Sequence, residues 1–143
     1  MLFDSGVSRA SARIIEEQTV NLTRHEGETL EALHSIKRDA YRMKETLLRG
    51  DITGFAACMR VSWAAKKRLA GSVTNDALDQ TVEAGLEAGA QAGKASGAGG
   101  GGFNTFLLPP ERRIELIRAL SRQEGRVMTC HFIRHRTEGW KVA

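Results

Sequence analysis

Lys94-Ala-Ser-Gly-Ala-Gly-Gly-Gly-Gly-Phe103 divides the chain into a helical first part and a second part that reads as strand, helix, strand. Glycine loses more backbone freedom on ordering than any other residue, so this run is no element interior. Two readings are open. As a linker, it would be a flexible tether between two halves. As an ordered loop, it would need glycine because backbone approaches a ligand closely, takes up φ > 0, or presents N–H groups to an anion. Phe103, Phe106, Leu107 and Leu108 follow at once, and Ser and Pro do not accumulate as they do in linkers. Those flanks favour a bound loop feeding a buried strand.

Working outward, a short strand near Gln91–Ser96 leads into the glycines and Phe103–Leu108 leads away. Pro110 suits the first turn of a helix, where its missing N–H leaves no bond unmade. That helix carries Ile114, Ile117 and Leu120, and Gly125 ends it. Val127–Ile133 alternates as a half-buried strand with Met128, Cys130 and Phe132 on one side, and Trp140-Lys-Val142 is a last short strand. Gly97–Gly102 satisfies GxGxxG, but a dinucleotide fold needs a helix after that pattern, and here a strand follows. Gly93-Lys94 fails as a P-loop: the spacing back to Gly89 is one residue short, and Ala95 stands where Ser or Thr would hold the metal.

Upstream, Leu2-Phe3 reads as a strand end, and Ser8 as the cap of a helix bearing Ile14, Ile15, Gln18 and Leu22. Leu33, Ile36, Ala40, Met43 and Leu47 recur at helical steps and predict one buried stripe. Gly50 stops that helix and Asp51 caps the next, which carries Ile52, Phe55, Met59 and Trp63, with Lys66, Lys67 and Arg68 complementing its C-terminal dipole. Asn75 caps a fourth helix with Leu78, Val82 and Leu86. Its small residues Ala84, Gly85, Ala88, Gly89 and Ala90 would let another backbone approach. Helices and strands are segregated rather than regularly alternating, so the class is α+β, an antiparallel sheet backed by helices.

The 143 residues suit one domain, 1–143. No run of about 18 apolar residues exists to span a membrane. Met1-Leu-Phe-Asp4 has neither the basic nor the apolar region of a secretory signal. Cys58 and Cys130 form no CxxC pair and read as small buried hydrophobes of a reducing, cytoplasmic compartment. The net charge of +4 comes entirely from Glu111 onward. Aromatic residues do not interleave with that basic tail, so a solvated face is favoured over nucleic-acid binding. His25, His34, His131 and His135 lack metal-ligand spacing. Ser5, Ser8, Arg9 and Ser11 form a polar cluster with two readings, a loop with a helix cap or an arginine placed to pair with a phosphate.

The glycine stretch resembles the third signature motif of the GHMP small-molecule kinases, most nearly the branch that phosphorylates heptose phosphates. Ser5-Gly-Val-Ser-Arg9 with Ile14-Ile-Glu-Glu-Gln18, and Ser62-Trp63 with Lys66-Lys-Arg-Leu69 and Val73-Thr-Asn75, are similar to further segments of that branch. The likeness runs through the whole chain but matches only the C-terminal half of such a kinase. It implies a ferredoxin-like arrangement and a loop that closes the active site beside the phosphates. Carried over by position, Ser96, Gly97, Ala98, Gly99 and Gly100 are the contact candidates, with Lys94 a weaker one and Arg9 a partner for a substrate phosphate. The complete family enzyme uses ATP and Mg²⁺, held by an N-terminal domain outside this sequence. Neither is expected to bind tightly to this chain, which is expected to be inactive alone. The expected partners are a sugar phosphate, and the N-terminal kinase domain or a second copy over an exposed apolar surface; no nucleic acid or membrane is expected. The alternative is a catalytically inert binding module for a phosphorylated ligand or a protein.

Overall fold

The computed structural model describes residues 1–7, 11–24 and 26–130. Four short strands, β1 (Leu2–Asp4), β2 (Ala92–Ala95), β3 (Phe103–Leu107) and β4 (Arg126–Met128), form one sheet in the order β2-β3-β1-β4. Every neighbouring pair is antiparallel. Five helices accompany them: α1 (Ser11–Arg24), α2 (Glu26–Leu48), α3 (Ile52–Lys67), α4 (Asp76–Glu87) and α5 (Arg113–Leu120). Short 3₁₀ turns lie at Gly71–Val73 and Pro110–Arg112. With α1–α3 taken as an insertion before α4, the chain runs strand, helix, strand, strand, helix, strand. That is the ferredoxin-like order.

β1 is only three residues long, yet it is central. Phe3 is fully buried, and β1 pairs with β3 on one side and β4 on the other. Phe3, Phe106, Leu116, Leu120 and Ala90 make one core between the sheet and α5. Trp63, Val73, Leu78, Val82, Ala95 and Ile14 make a second around α4 and the turn at Gly71–Val73. Ala56 and Met59 of α3 close a third over Ala92. The small residues of α4 serve a ring rather than a second backbone. A Cβ on Gly85 would stand 2.3 Å from the Phe106 ring.

The local stop signals act as the sequence indicates. Gly50 has φ +71°, the Gly54 N–H donates to Asp51 Oδ1 at 2.8 Å, and the Leu78 N–H donates to Asn75 Oδ1 at 3.0 Å. The helix faces differ more. α2 buries Thr29, Ala32 and Asp39 and half-buries Ile36 and Met43, while Leu33, Ala40 and Leu47 of the expected stripe are exposed. α2 packs on α3 through its other side, and among the described residues nothing covers Leu33, Ala40 and Leu47. α5 docks through Leu116 and Leu120, one turn apart, which turns Ile114 outward. Ile15 of α1 and Ile52 of α3 are likewise exposed. Cys130 is exposed and Cys58 half-buried, both as free thiols, so the expected burial does not hold. The charged side chains from Glu111 to Arg126 are exposed, whereas the expected strand through Phe132 and Ile133, the strand at Trp140–Val142, and the charges and histidines beyond Cys130 lie outside the described residues, as do the Ser8 cap and His25.

α1 buries only Ile14 and is held largely by polar contacts. Asn21 Nδ2 donates to Leu69 O at 3.0 Å, and Glu17 accepts the Gly71 N–H at 3.0 Å. The Ser72 hydroxyl beside Glu17, with the Ser72 and Gly71 amides and Arg13, outweighs partial desolvation and holds its carboxyl below the usual carboxylate range. A carboxyl lowered in the fold stabilises it above the unfolded value, about pH 4.3, and that contribution fades as pH falls through the folded value. The protection of α1 amides against exchange, relative to the unfolded chain at the same pH, should therefore fall on acidification below about pH 4. In Glu17→Gln that extra sensitivity should vanish. An unchanged acid profile in Glu17→Gln would show that this carboxylate does not tether the helix.

Candidate functional site: the glycine loop

β2 and β3 leave the sheet together. Ala95 pairs with Asn104, and the Ser96 N–H donates to Phe103 O at 2.7 Å, so residues 97–102 form one hairpin loop. The segment is thus neither a tether nor the start of a helix.

Three elements grip it. From the Gly71–Val73 turn, Val73 O accepts the Gly100 N–H at 2.8 Å, and Asn75 Nδ2 donates to Gly100 O at 3.2 Å. From the segment after β1, Val7 O accepts the Gly102 N–H at 2.9 Å, and the Ser5 N–H donates to Gly102 O at 3.0 Å. From α3, the Lys66 ammonium donates to Gly97 O. Gly99 is where glycine is compulsory. Its φ is +111°, and a Cβ there would lie 2.4 Å from Val73 O.

This grip leaves the N–H groups of Gly97, Ala98, Gly99 and Gly101 without a partner among the described residues. The residues that carry them belong to the lining of a cavity of about 310 Å³, formed by residues 96–99 and 101–103 with Val7 and Ser11. Ser11, the first described residue of α1, lines the same space. Successive backbone amides around a concavity make a site for an anion. The donor set is amides and hydroxyls without carboxylates, and among the described residues no group of three or more His, Cys, Asp or Glu could hold a metal. The cup therefore suits phosphate oxygens rather than Mg²⁺, which needs oxygen ligands.

Of the residues singled out from the sequence, Ser96, Gly97, Ala98 and Gly99 line this cavity. Gly100 is buried, with its N–H already on Val73, and shapes the loop from behind. Arg9 lies outside the described residues. The anchors Val73, Asn75 and Lys66 were not legible as such. Asn75 read as a helix cap, which it also is, and Lys66 as a dipole complement. Lys94 is half-buried. Burial holds its ammonium below the usual lysine range, and burial together with the Lys94 charge does the same to Lys66.

Asn75 serves both α4 and the loop. Asn75→Ala should cost about 1–2 kcal/mol of stability through the lost cap and the freed Gly100 carbonyl. Urea unfolding measures the loss, and a cost no greater than that of Asp51→Ala, which removes a cap alone, would mean that the loop contact contributes nothing.

The family model for the C-terminal domain of GHMP kinases matches residues 43–126, a span that includes α3, α4 and the strand–glycine loop–strand unit. The chain belongs to the GHMP kinase C-terminal family. It is 36% identical over 142 residues to the D-glycero-alpha-D-manno-heptose 7-phosphate kinase of Campylobacter jejuni, covering 99% of this chain and 41% of that protein. It spans well under half of that relative's length. A D-glycero-D-manno-heptose 1-phosphate kinase from Bacteroides thetaiotaomicron is 36% identical with a TM-score of 0.52, over 69% of this chain and 28% of the other. The mevalonate kinase of L. major, solved with R-mevalonate, is 16% identical with a TM-score of 0.78, over 85% and 37%. That last likeness is one of fold. Among the described residues no helix of this GHMP kinase domain is long and apolar enough to cross a membrane.

Proposed function

We infer that residues 1–143 form the acceptor-side domain of an ATP-dependent sugar-phosphate kinase acting on a heptose phosphate or a close analogue. The observation that carries this is the glycine cup, in which unengaged amides are fixed around a cavity by bonds from three separate elements. Phosphoryl transfer depends mainly on positioning and on stabilising charge over the phosphoryl oxygens. A cup of amides that need no reorganisation supplies both. Ser96 and the amides of Gly97, Ala98 and Gly99 would hold phosphate oxygens, and Arg9 would pair with a substrate phosphate. ATP and Mg²⁺, which neutralises charge on the transferring phosphate when bound, would be held by the part of the kinase that corresponds to the rest of the relatives' length.

The test is to combine the purified chain with the ATP-binding portion of the Campylobacter jejuni relative and follow ADP release with a heptose 7-phosphate. Turnover should require both parts. Robust turnover by this chain alone, or none with any heptose phosphate when both are present, contradicts the reading.

The other portion would also cover apolar surface. α2 leaves Leu30, Leu33, Tyr41, Leu47 and Leu48 exposed. Exposed apolar surface promotes association, so the chain by itself should sediment as a dimer or larger species at micromolar concentration. A clean monomer would show that this face tolerates water.

A further inference from the structure

A second cluster lies at the base of the loop. Along β2, alternate side chains take opposite faces of the sheet. Gly93 abuts Phe106 and Val82 of α4, whereas Ala92 packs on Ala56 and Met59 of α3. Lys94 therefore faces α3, and the next residue on that side is Ser96. Across the ladder Lys94 pairs with Thr105, whose hydroxyl lies 2.8 Å from that of Ser96. From α3, Lys66 reaches over to the Gly97 carbonyl. Two ammonium groups and two hydroxyls are thus gathered beneath the cup.

This arrangement is costly as it stands. Both lysines are half-buried, and each feels desolvation; Lys66 also feels the Lys94 charge. Neither has a carboxylate within ion-pairing distance among the described residues, where the ion pair found is Lys67–Asp79 at 3.2 Å. Placing like charges together away from water is unfavourable unless something of opposite charge joins them. The hydroxyl pair shares one hydrogen and keeps another to donate. Apart from the bond Lys66 makes to Gly97, the set offers donors in excess, and its complement is a compact dianion with several acceptor oxygens. A phosphomonoester has that character.

We propose that Lys66, Lys94 and the Ser96–Thr105 hydroxyl pair bind the phosphate that the acceptor sugar already carries, while the amides of the cup face the phosphoryl group in transfer. This rests on the sugar-phosphate reading above. Ser96 belongs to both sites, lining the cavity and meeting Thr105, so the two phosphate positions share a wall. A sugar without its phosphate leaves two ammonium groups facing each other, and the domain thereby selects phosphorylated acceptors.

The probe is inorganic phosphate, titrated into the 143-residue chain carrying isotope-labelled lysine and followed by NMR. The resonances of Lys66 and Lys94, assigned from Lys66→Met and Lys94→Met, should move together and saturably. Each of these substitutions should weaken phosphate by about tenfold or more, the loss of one charge-assisted contact. Lys94→Met should at the same time raise the melting temperature, because it removes the repulsion, so weaker binding cannot be put down to unfolding. Lys94→Arg should retain binding. Phosphate that leaves both lysine resonances in place, shifts only the loop amides, or binds Lys66→Met and Lys94→Met as tightly as the parent overturns the proposal while leaving the kinase reading intact. Failure of the kinase reading shows instead as absent turnover in the two-part assay.

Discussion

Gly99→Ala is expected to cost about 2–4 kcal/mol and to abolish binding at the cup. Two terms add. A φ of +111° is strained for any residue with a Cβ, which costs about 1–3 kcal/mol. The new Cβ would also lie 2.4 Å from Val73 O, and that oxygen cannot retreat freely because it accepts the Gly100 N–H at 2.8 Å. Moving it forfeits a bond worth about 0.5–1.5 kcal/mol. Gly97→Ala is the internal comparison. Its φ is +73°, but nothing lies within 4 Å of the added carbon, so only the left-handed conformation, about 1–2 kcal/mol, is at stake. Urea midpoints for the pair, at unchanged m, give the difference. Equal costs would mean that the loop does not rest on the Val73 carbonyl.

Phe106→Ala should be more damaging still, at about 3–5 kcal/mol. Phe106 is 1% exposed, and its ring is pressed between α4 and β2, with Gly85 and Gly93 against it. A Cβ at those two glycines would stand 2.3 and 2.7 Å from the same ring carbon. The ring has no room to yield, so Gly85→Ala should cost about 1–3 kcal/mol by overpacking. Combining Gly85→Ala with Phe106→Leu should cost less than the two singly, with a coupling of about 0.5–3 kcal/mol. Additive losses would show that the ring and the glycine do not share one space. The contact bears on function because β2 carries the near end of the loop, and this ring fixes β2 against α4.

These two sites show which parts of the structure were legible in the sequence. Short-range chemistry was. Gly50 with Asp51, and Asn75 before α4, announce helix ends because the capping group lies within three or four residues of what it caps. The apolar run after Gly102 announced a strand, and so made the glycines a hairpin loop. The segregation of strands from helices gave the class, and the family likeness supplied the ferredoxin-like order that the residues alone left open.

Long-range partners were not legible. Lys66 stands 31 residues from the Gly97 carbonyl it holds, and a lysine near a helix end has a sufficient local reason to be there. Val73 acts through a backbone oxygen, which every residue carries, so nothing marks it. Asn104 is 1% exposed with both side-chain polar atoms unpartnered among the described residues, in a strand whose pattern suggested apolar burial. The faces of α2 and α5 went astray for another reason. Periodicity shows that an apolar stripe exists but not what covers it. In α2 Leu33 and Leu47 lie off the face that meets α3, and in α5 a helix of eight residues has room for only one pair of anchors.

The most direct measurement is an amide NMR titration of the isotope-labelled chain with a heptose 7-phosphate. The account predicts that the N–H signals of Gly97, Ala98 and Gly99 shift saturably, while that of Gly100, already bonded to Val73, moves little. Perturbations that spare both the loop and the Lys66–Lys94 cluster beneath it, or saturable binding that passes unaltered through Gly99→Ala, would contradict it.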